Sequence, residues 1–250
     1  MKNQKLLFGG LFLCSLTTAF ATENLAYISQ IGEQQTATVL QAGQENQIHL
    51  EQANQQTTLA GLGNLSQLSQ TGLNNNITLT QSGNNQASIE QLGDANQAVL
   101  TQASAGNYAS ITQSNENNNI SISQDNLGGT VSGNYVSALQ TGILNSADII
   151  QSGLANTAQL AQTGDGNTAS LSQQGENNLI NAVQSLANNQ AQIEQNGNAN
   201  QVNLTQAGVN NYAGVTQYGN NNTATIIQTG NDRSLSLTEY GGMSVTVTQP

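Results

Sequence analysis

The stretch QAGVNNYAGVTQYGNNNTATIIQTG, residues 206–230, decides how this chain is read. Gln206, Gln217 and Gln228 stand eleven residues apart, each followed two places on by glycine (Gly208, Gly219, Gly230), and the first two are followed five places on by Asn211 and Asn222. Just upstream, Asn200, Val202, Leu204 and Gln206 are spaced by two, as are Asn156, Ala158, Leu160 and Gln162. A period of two puts all four on one face of a strand. A helix would scatter them around its circumference. The four residues between one Gln and the next Asn must then reverse the chain. Glycine at the second of them supplies the positive φ of a tight turn without steric cost.

Outward from this stretch the same unit fills the sequence. Glutamine recurs at 30, 41 and 52, at 70, 81, 91, 102, 113 and 124, and at 140, 151, 162, 173, 184, 195, 206, 217 and 228. Glu239 takes the next place and Gln249 closes the series. The consensus is Q-x-G-x-x-N-x-A-x-h-x, with h aliphatic. Its turn glycines include Gly32, Gly43, Gly72, Gly153 and Gly164, and its asparagines include Asn145, Asn156 and Asn167. Between Gln30 and Glu239 three intervals depart from eleven. The 18 residues from Gln52 to Gln70 read as two shortened units, with a strand at Thr57–Leu59 and a reversal at 61–63. The 16 from Gln124 to Gln140 read as one unit with a long loop, and Gln81 to Gln91 loses one turn residue. The expectation is one domain over residues 22–250 with about 21 short strands.

A strand of about seven residues cannot bury an apolar face alone, and stacking solves this. Two strand-turn units make a rung of about 22 residues, with rungs ~4.8 Å apart. The predicted fold is an all-β solenoid of the cross-β type, with two parallel sheets facing each other and Ala, Ile, Leu and Val between them. The Gln and Asn at the strand ends also face inward, which is unfavourable unless they are hydrogen-bonded. Stacking satisfies them, because each side-chain amide can donate to one copy of itself and accept from another. Identical charges in such a column would repel, which accounts for charged residues being only 7% of the chain. The candidate ladder is Gln30, Gln41, Gln151, Gln162, Gln173, Gln195, Gln206, Gln217 and Gln228 with Asn145, Asn156, Asn167, Asn200, Asn211 and Asn222.

Residues 1–21 read as a secretory signal: Lys2 and Lys5, an apolar stretch from Leu6 to Leu16, and a small-x-small site at Ala19-Phe20-Ala21. The apolar stretch is shorter than the ~20 residues of a membrane span, so an integral membrane protein is not expected. Cys14 lies in this segment, which leaves no cysteine after cleavage, and Arg233 is then the one basic side chain remaining. A nucleic-acid or anionic-membrane partner is disfavoured by that charge. His49, the one histidine, falls between Ile48 and Leu50 on the outward face, with no Ser/His/Asp set, metal cluster or phosphate loop to join. No catalysis, metal or cofactor is expected. The acidic residues at turns, such as Asp94, Asp165 and Glu176, read as solubilising charge.

The motif Q-x-G-x-x-N-x-A-x-h-x-Q, present from Asn24 to Gln249, resembles the repeat of the curlins, the secreted subunits of bacterial curli amyloid fibres. The resemblance implies export in an unfolded state through an outer-membrane apparatus, then templated assembly with another curlin subunit at the cell surface. It also implies roles in biofilm matrix, adhesion and colonisation. Scarce Lys and Arg are similar to a major fibre subunit, whereas the ends "NLAYISQ" and "MSVTVTQP" look more like the minor, nucleating one. The repeat runs to Gln249 without a visible cap, which predicts head-to-tail homopolymers. Two other readings stay open. One is a repetitive adhesin held by a partner. The other is an ice- or surface-binding monomer using outward Thr36/Thr38, Thr78/Thr80 and Thr223/Thr225 pairs.

Overall fold

The computed structural model describes residues 5–9, 13–19, 23–54, 63–127 and 132–250, with side chains from residue 23 onward within those ranges. Every regular element among them is a strand. The first eleven are β1 (Lys5–Gly9), β2 (Leu13–Ala19), β3 (Leu25–Ile31), β4 (Thr36–Gln44), β5 (Gln47–Ala53), β6 (Leu65–Leu73), β7 (Asn76–Ser82), β8 (Gln86–Asp94), β9 (Gln97–Ala103), β10 (Tyr108–Glu116) and β11 (Asn119–Asp125). The second eleven are β12 (Tyr135–Thr141), β13 (Ser146–Leu154), β14 (Thr157–Thr163), β15 (Thr168–Glu176), β16 (Leu179–Ala187), β17 (Gln190–Asn196), β18 (Gln201–Val209), β19 (Tyr212–Tyr218), β20 (Thr223–Gln228), β21 (Ser234–Tyr240) and β22 (Ser244–Gln249).

Odd-numbered strands make one parallel sheet and even-numbered strands the other. Consecutive strands therefore lie in opposite sheets, and two strands with two reversals form one rung of a β-solenoid. From β3 to β22 there are about ten rungs and twenty strands. Equivalent residues stack in register: Gln173 beside Gln195, Gln195 beside Gln217, Ala191 beside Ala213. At β1 and β2, within residues 1–21, the sheets gain one further pair of strands, with Phe8 in register with Gln30 and Thr18 with Gln41.

Among the described residues β3–β22 make twenty strands against the expected number of about 21. β4 pairs directly with β6 and β5 with β7, so Gln41 sits beside Gln70 and Gln52 beside Gln81. The Thr57–Leu59 segment itself lies outside the described residues. The long interval after Gln124 is likewise absorbed between strands, and Gln124 pairs with Gln151.

Alternation along each strand carries the core. In β5 the outward residues Gln47, His49 and Glu51 are exposed, while Ile48, Leu50 and Gln52 are buried. Ala at one inward position and Ile, Leu or Val at the next let the facing sheets interdigitate at their ~10 Å spacing. Each fully buried Ile or Leu contributes ~1.5–3 kcal/mol relative to exposure. The pattern holds up to β20, and Leu235 and Leu237 of β21 pack against it only partly buried.

Turns obey two constraints. At Gly43 φ is 105°, and an added Cβ would lie 1.9 Å from the Gly72 carbonyl oxygen of the next rung. Glycine is required there by close approach as well as by its dihedral. A second positive φ falls four residues after the glutamine, at Glu45 (56°), Asn74 (56°), Leu144 (61°) and Ala155 (53°). Asn, Gly and Asp hold this position in most units, as at Asn117, Gly166, Asn188 and Asp232, and are its sequence marker; where Glu45, Leu144 or Ala155 stands there instead, the left-handed conformation costs ~1–2 kcal/mol each. Gly208 and Gly230 correct the turn reading, since neither has the positive φ of Gly32, Gly72, Gly153, Gly164 and Gly219. What restricts Gly208 is space, as its Cβ would meet the Gly230 carbonyl oxygen at 2.0 Å.

Candidate functional site

The longest continuous polar feature lies inside the solenoid. All nine candidate glutamines and all six candidate asparagines are at most 1% exposed. Strand alternation turns each inward at the edge of the apolar core, and parallel register sets each against its equivalent one rung away.

The glutamines form two columns, one per sheet. In the odd sheet, Nε2 of Gln30 donates to Oε1 of Gln52 at 2.7 Å, and Gln52 donates to Gln81 at 2.8 Å. The chain of bonds passes on through Gln102, Gln124, Gln151, Gln173 and Gln195 to Gln217. In the even sheet it runs from Gln41 through Gln162, Gln184 and Gln206 to Gln228, ending on Gln249. The second N–H of each amide reaches a main-chain carbonyl in the opposite sheet, for example Gln151 to Tyr135 O at 3.1 Å and Gln206 to Gln190 O at 3.0 Å. That cross-sheet bond fixes which end of the amide is nitrogen, and so fixes the direction of the column.

The asparagines form two more columns, whose bonds run the other way. Oδ1 of Asn145 accepts from both the backbone N–H and Nδ2 of Asn167, at 3.1 Å each. Oδ1 of Asn200 likewise accepts from Asn222, and Oδ1 of Asn189 from Asn211. Most Nδ2 groups also clasp the next turn, as Asn156 does to Gly175 O at 2.8 Å, while Asn222 reaches Tyr218 O in its own turn. Glutamine thus donates toward the C-terminal end of the stack and asparagine toward the N-terminal end. Gln35 opens one asparagine column, with its Oε1 accepting from Asn64. Its parity with Ala37, Val39 and Gln41 is the sequence signal that places it there.

The last rung changes three of the four column positions. Arg233 and Met243 follow Asn211 and Asn222 and give those asparagines' Oδ1 a backbone N–H but no side-chain amide, and Glu239 follows Gln217, accepting its Nε2 at 2.5 Å. Glu239 is 0% exposed and its Oε1 has no partner. At the other end of the same columns, Gln30 Oε1 and Asn24 Nδ2 are buried without a partner.

The outer surface is ordinary by comparison. His49 stacks on Tyr27 at 4.7 Å and meets Glu51 at 3.2 Å with both side chains about half exposed. Tyr108 stacks on Tyr135 and Tyr218 on Tyr240. Two of the acidic turn residues do more than carry charge: Asp94 and Asp165 accept the backbone N–H of Leu73 and Ile143 in the rung before. The outward threonines do not form a flat array, since Thr36 and Thr38 lie beside Leu65 and Gln67, and Thr78 beside His49 and Val99. No group of three or more His, Cys, Asp or Glu able to hold a metal occurs among the described residues. No helix of the described residues is long and apolar enough to cross a membrane.

No curated protein matches the chain. A family model, the curlin associated repeat, matches residues 21–53, 84–114, 145–175, 197–230 and 208–241, more than half of the sequence. Each matched segment falls on the strands and turns that carry the amide columns, and on that agreement the chain belongs to the curlin family.

Proposed function

We propose that this chain is a secreted structural subunit that polymerises head-to-tail into extracellular curli-type amyloid fibres, serving biofilm matrix, adhesion and surface colonisation. The observation that carries the reading is the pair of glutamine columns, whose bonds pass from rung to rung without interruption in both sheets. Such a column gains one bond per rung added, and nothing in its geometry distinguishes a rung of the same chain from a rung of another. The end strands of a parallel stack present unpaired backbone groups that template further pairing. Residues 1–21 act as the secretory leader and are removed, and the export partner is an outer-membrane apparatus acting on the unfolded chain. The glutamines and asparagines named above are structural ladder residues rather than a ligand site.

The test is assembly of residues 22–250, which keep β3–β22 and all their mutual contacts. A solenoid is held by nearest-neighbour rungs, so this part carries its own fold. Growth with and without preformed seeds is followed by light scattering, and the product by fibre diffraction. Fibres with the ~4.8 Å and ~10 Å spacings are expected. A long lag abolished by seeds marks a major subunit, and rapid unseeded growth that accelerates another curlin marks a nucleator. A protein that stays monomeric after days at high concentration, at acid as well as neutral pH, overturns the proposal.

A further inference from the structure

We propose that the junction between two copies of this chain is closed by a hydrogen bond from the protonated Glu239 carboxyl of one copy to Gln30 Oε1 of the next, so that homopolymer growth is held back at neutral pH and released by acid. This rests on the head-to-tail reading above and specifies its interface. Continuing the rung spacing past β21 brings β3 of a second copy onto it and sets Gln30 over Glu239. Within the chain every Oε1 in this column accepts from the Nε2 of the rung before, as Gln52 does from Gln30 and Gln217 from Gln195. Gln30 Oε1 lacks that donor. The residue that must supply it has a carboxyl where the column has an amide, and the oxygen in the amide-nitrogen place, Glu239 Oε1, is buried and unpartnered. Ionised, Glu239 presents an acceptor to an acceptor in a site shielded from water, which is strongly unfavourable. Protonated, its O–H is the missing donor.

The matching atoms at the two ends identify the occupant as a second copy. In the even sheet no proton is needed, because Gln249 uses one N–H on Ser234 O and keeps the other for Gln41. The gate is therefore in one column only. In the full chain β1 holds this edge, with Phe8 in register with Gln30, so the junction belongs to the chain that starts at residue 22.

Few other charges bear on Glu239. Tyr212 and Tyr218 of β19 and Tyr240 of β21 lie on the outer face, and β20 and β22 across the core carry no titratable side chain. Asp232 and Arg233 precede β21, with the Arg233 guanidinium over Gly230 beside the terminal Pro250 carbonyl. That is six residues back along the strand, about 20 Å away. The second copy brings Tyr27 on the outer face of β3 and exposed Glu33 in the turn beyond Gln30.

Seeded elongation of residues 22–250 is compared for wild type, Glu239→Gln and Glu194→Gln, the last removing one exposed charge from β17. Glu239→Gln restores the repeat consensus, so its folding is not at risk. Low pH speeds all three by lowering net charge, and the ratio between proteins removes that common effect. At pH 7 Glu239→Gln should elongate about tenfold faster than wild type, as expected for one buried hydrogen bond. As the pH is lowered and the carboxyl gains its proton, the ratio should fall toward one. Glu194→Gln should track wild type throughout. A Glu239→Gln to wild-type ratio near one at pH 7, or one that does not change with pH, overturns the gate while leaving fibre formation intact. Failure of wild type and variant to assemble at any pH overturns both the gate and the functional reading.

Discussion

Gln151 sits in the middle of the odd-sheet column, and replacing it by leucine isolates what one amide contributes. The side chain is 1% exposed. It accepts from Gln124 at 2.9 Å and donates to Gln173 at 2.8 Å and to Tyr135 O at 3.1 Å. Leucine is close in volume, so the cavity is small and the polar loss dominates. Three groups lose their partner, each costing about 1–3 kcal/mol when buried. About 2 kcal/mol returns from the newly buried apolar side chain, leaving a net destabilisation of about 1–7 kcal/mol. Gln124 keeps its other bond, to Tyr108 O, which holds the figure toward the lower end. Guanidinium unfolding followed by circular dichroism measures the change, and amide hydrogen exchange tests whether β11, β13 and β15 open first, as nearest-neighbour coupling requires. Gln151→Glu adds a check on sign. Its carboxylate can accept from Gln124 but opposes two other acceptors, so burial raises its folded-state pKa above the unfolded value of about 4.3. The variant should therefore be most stable below about pH 4 and lose stability as pH rises from there toward the folded-state pKa. A loss below about 1 kcal/mol for Gln151→Leu, no greater than for Ser152→Ala on the outer face, would refute the column as a source of stability.

Two further substitutions separate packing from turn geometry. Gly153→Ala places a Cβ 2.0 Å from the Gly175 carbonyl oxygen at φ 114°; it should destabilise by more than about 2 kcal/mol, against about 1 kcal/mol for Gly241→Ala, where φ is 52° and nothing lies within 4 Å. Ile149→Ala, in the core at 0% exposure, should cost about 2–5 kcal/mol, while Ile150→Ala, 45% exposed on the other face, should stay near 0.5 kcal/mol; similar midpoints for the two in denaturant would mean the inward and outward faces are misassigned.

The parallel solenoid was legible because two periods coincide. A step of two inside the unit fixes which side chains share a face, and a step of eleven fixes which rungs repeat. The columns' location follows from the same parity, so Gln206 and Asn211 could be placed inward from spacing alone. Their bond direction could not, because it depends on which main-chain group each amide reaches: Tyr212 O across the core for Gln228 Nε2, the Arg233 N–H one rung along the same column for Asn211 Oδ1. Insertions were ambiguous where their residues mimic a unit. Thr57 and Leu59 have the right parity for a strand, while β4 pairs directly with β6. Leu144 and Ala155 at positive φ escaped notice because they lack the Asn, Gly or Asp that marks this position in most other units. Glu239 was visible as an exception in the series, yet its meaning needed the unpartnered oxygens at both ends.

The opposed bond directions of glutamine and asparagine have an electrical consequence. A row of aligned amides is a dipole that lengthens with every unit added, as in an α-helix, where it leaves about half a charge at each terminus. In this rod each rung points two glutamine amides one way and two asparagine amides the other. Their fields offset, and the sum does not grow with length. A rod built this way reaches any length without accumulating charge at its tips. Its polarity is therefore written in the residues of the terminal rungs and not in a long-range field.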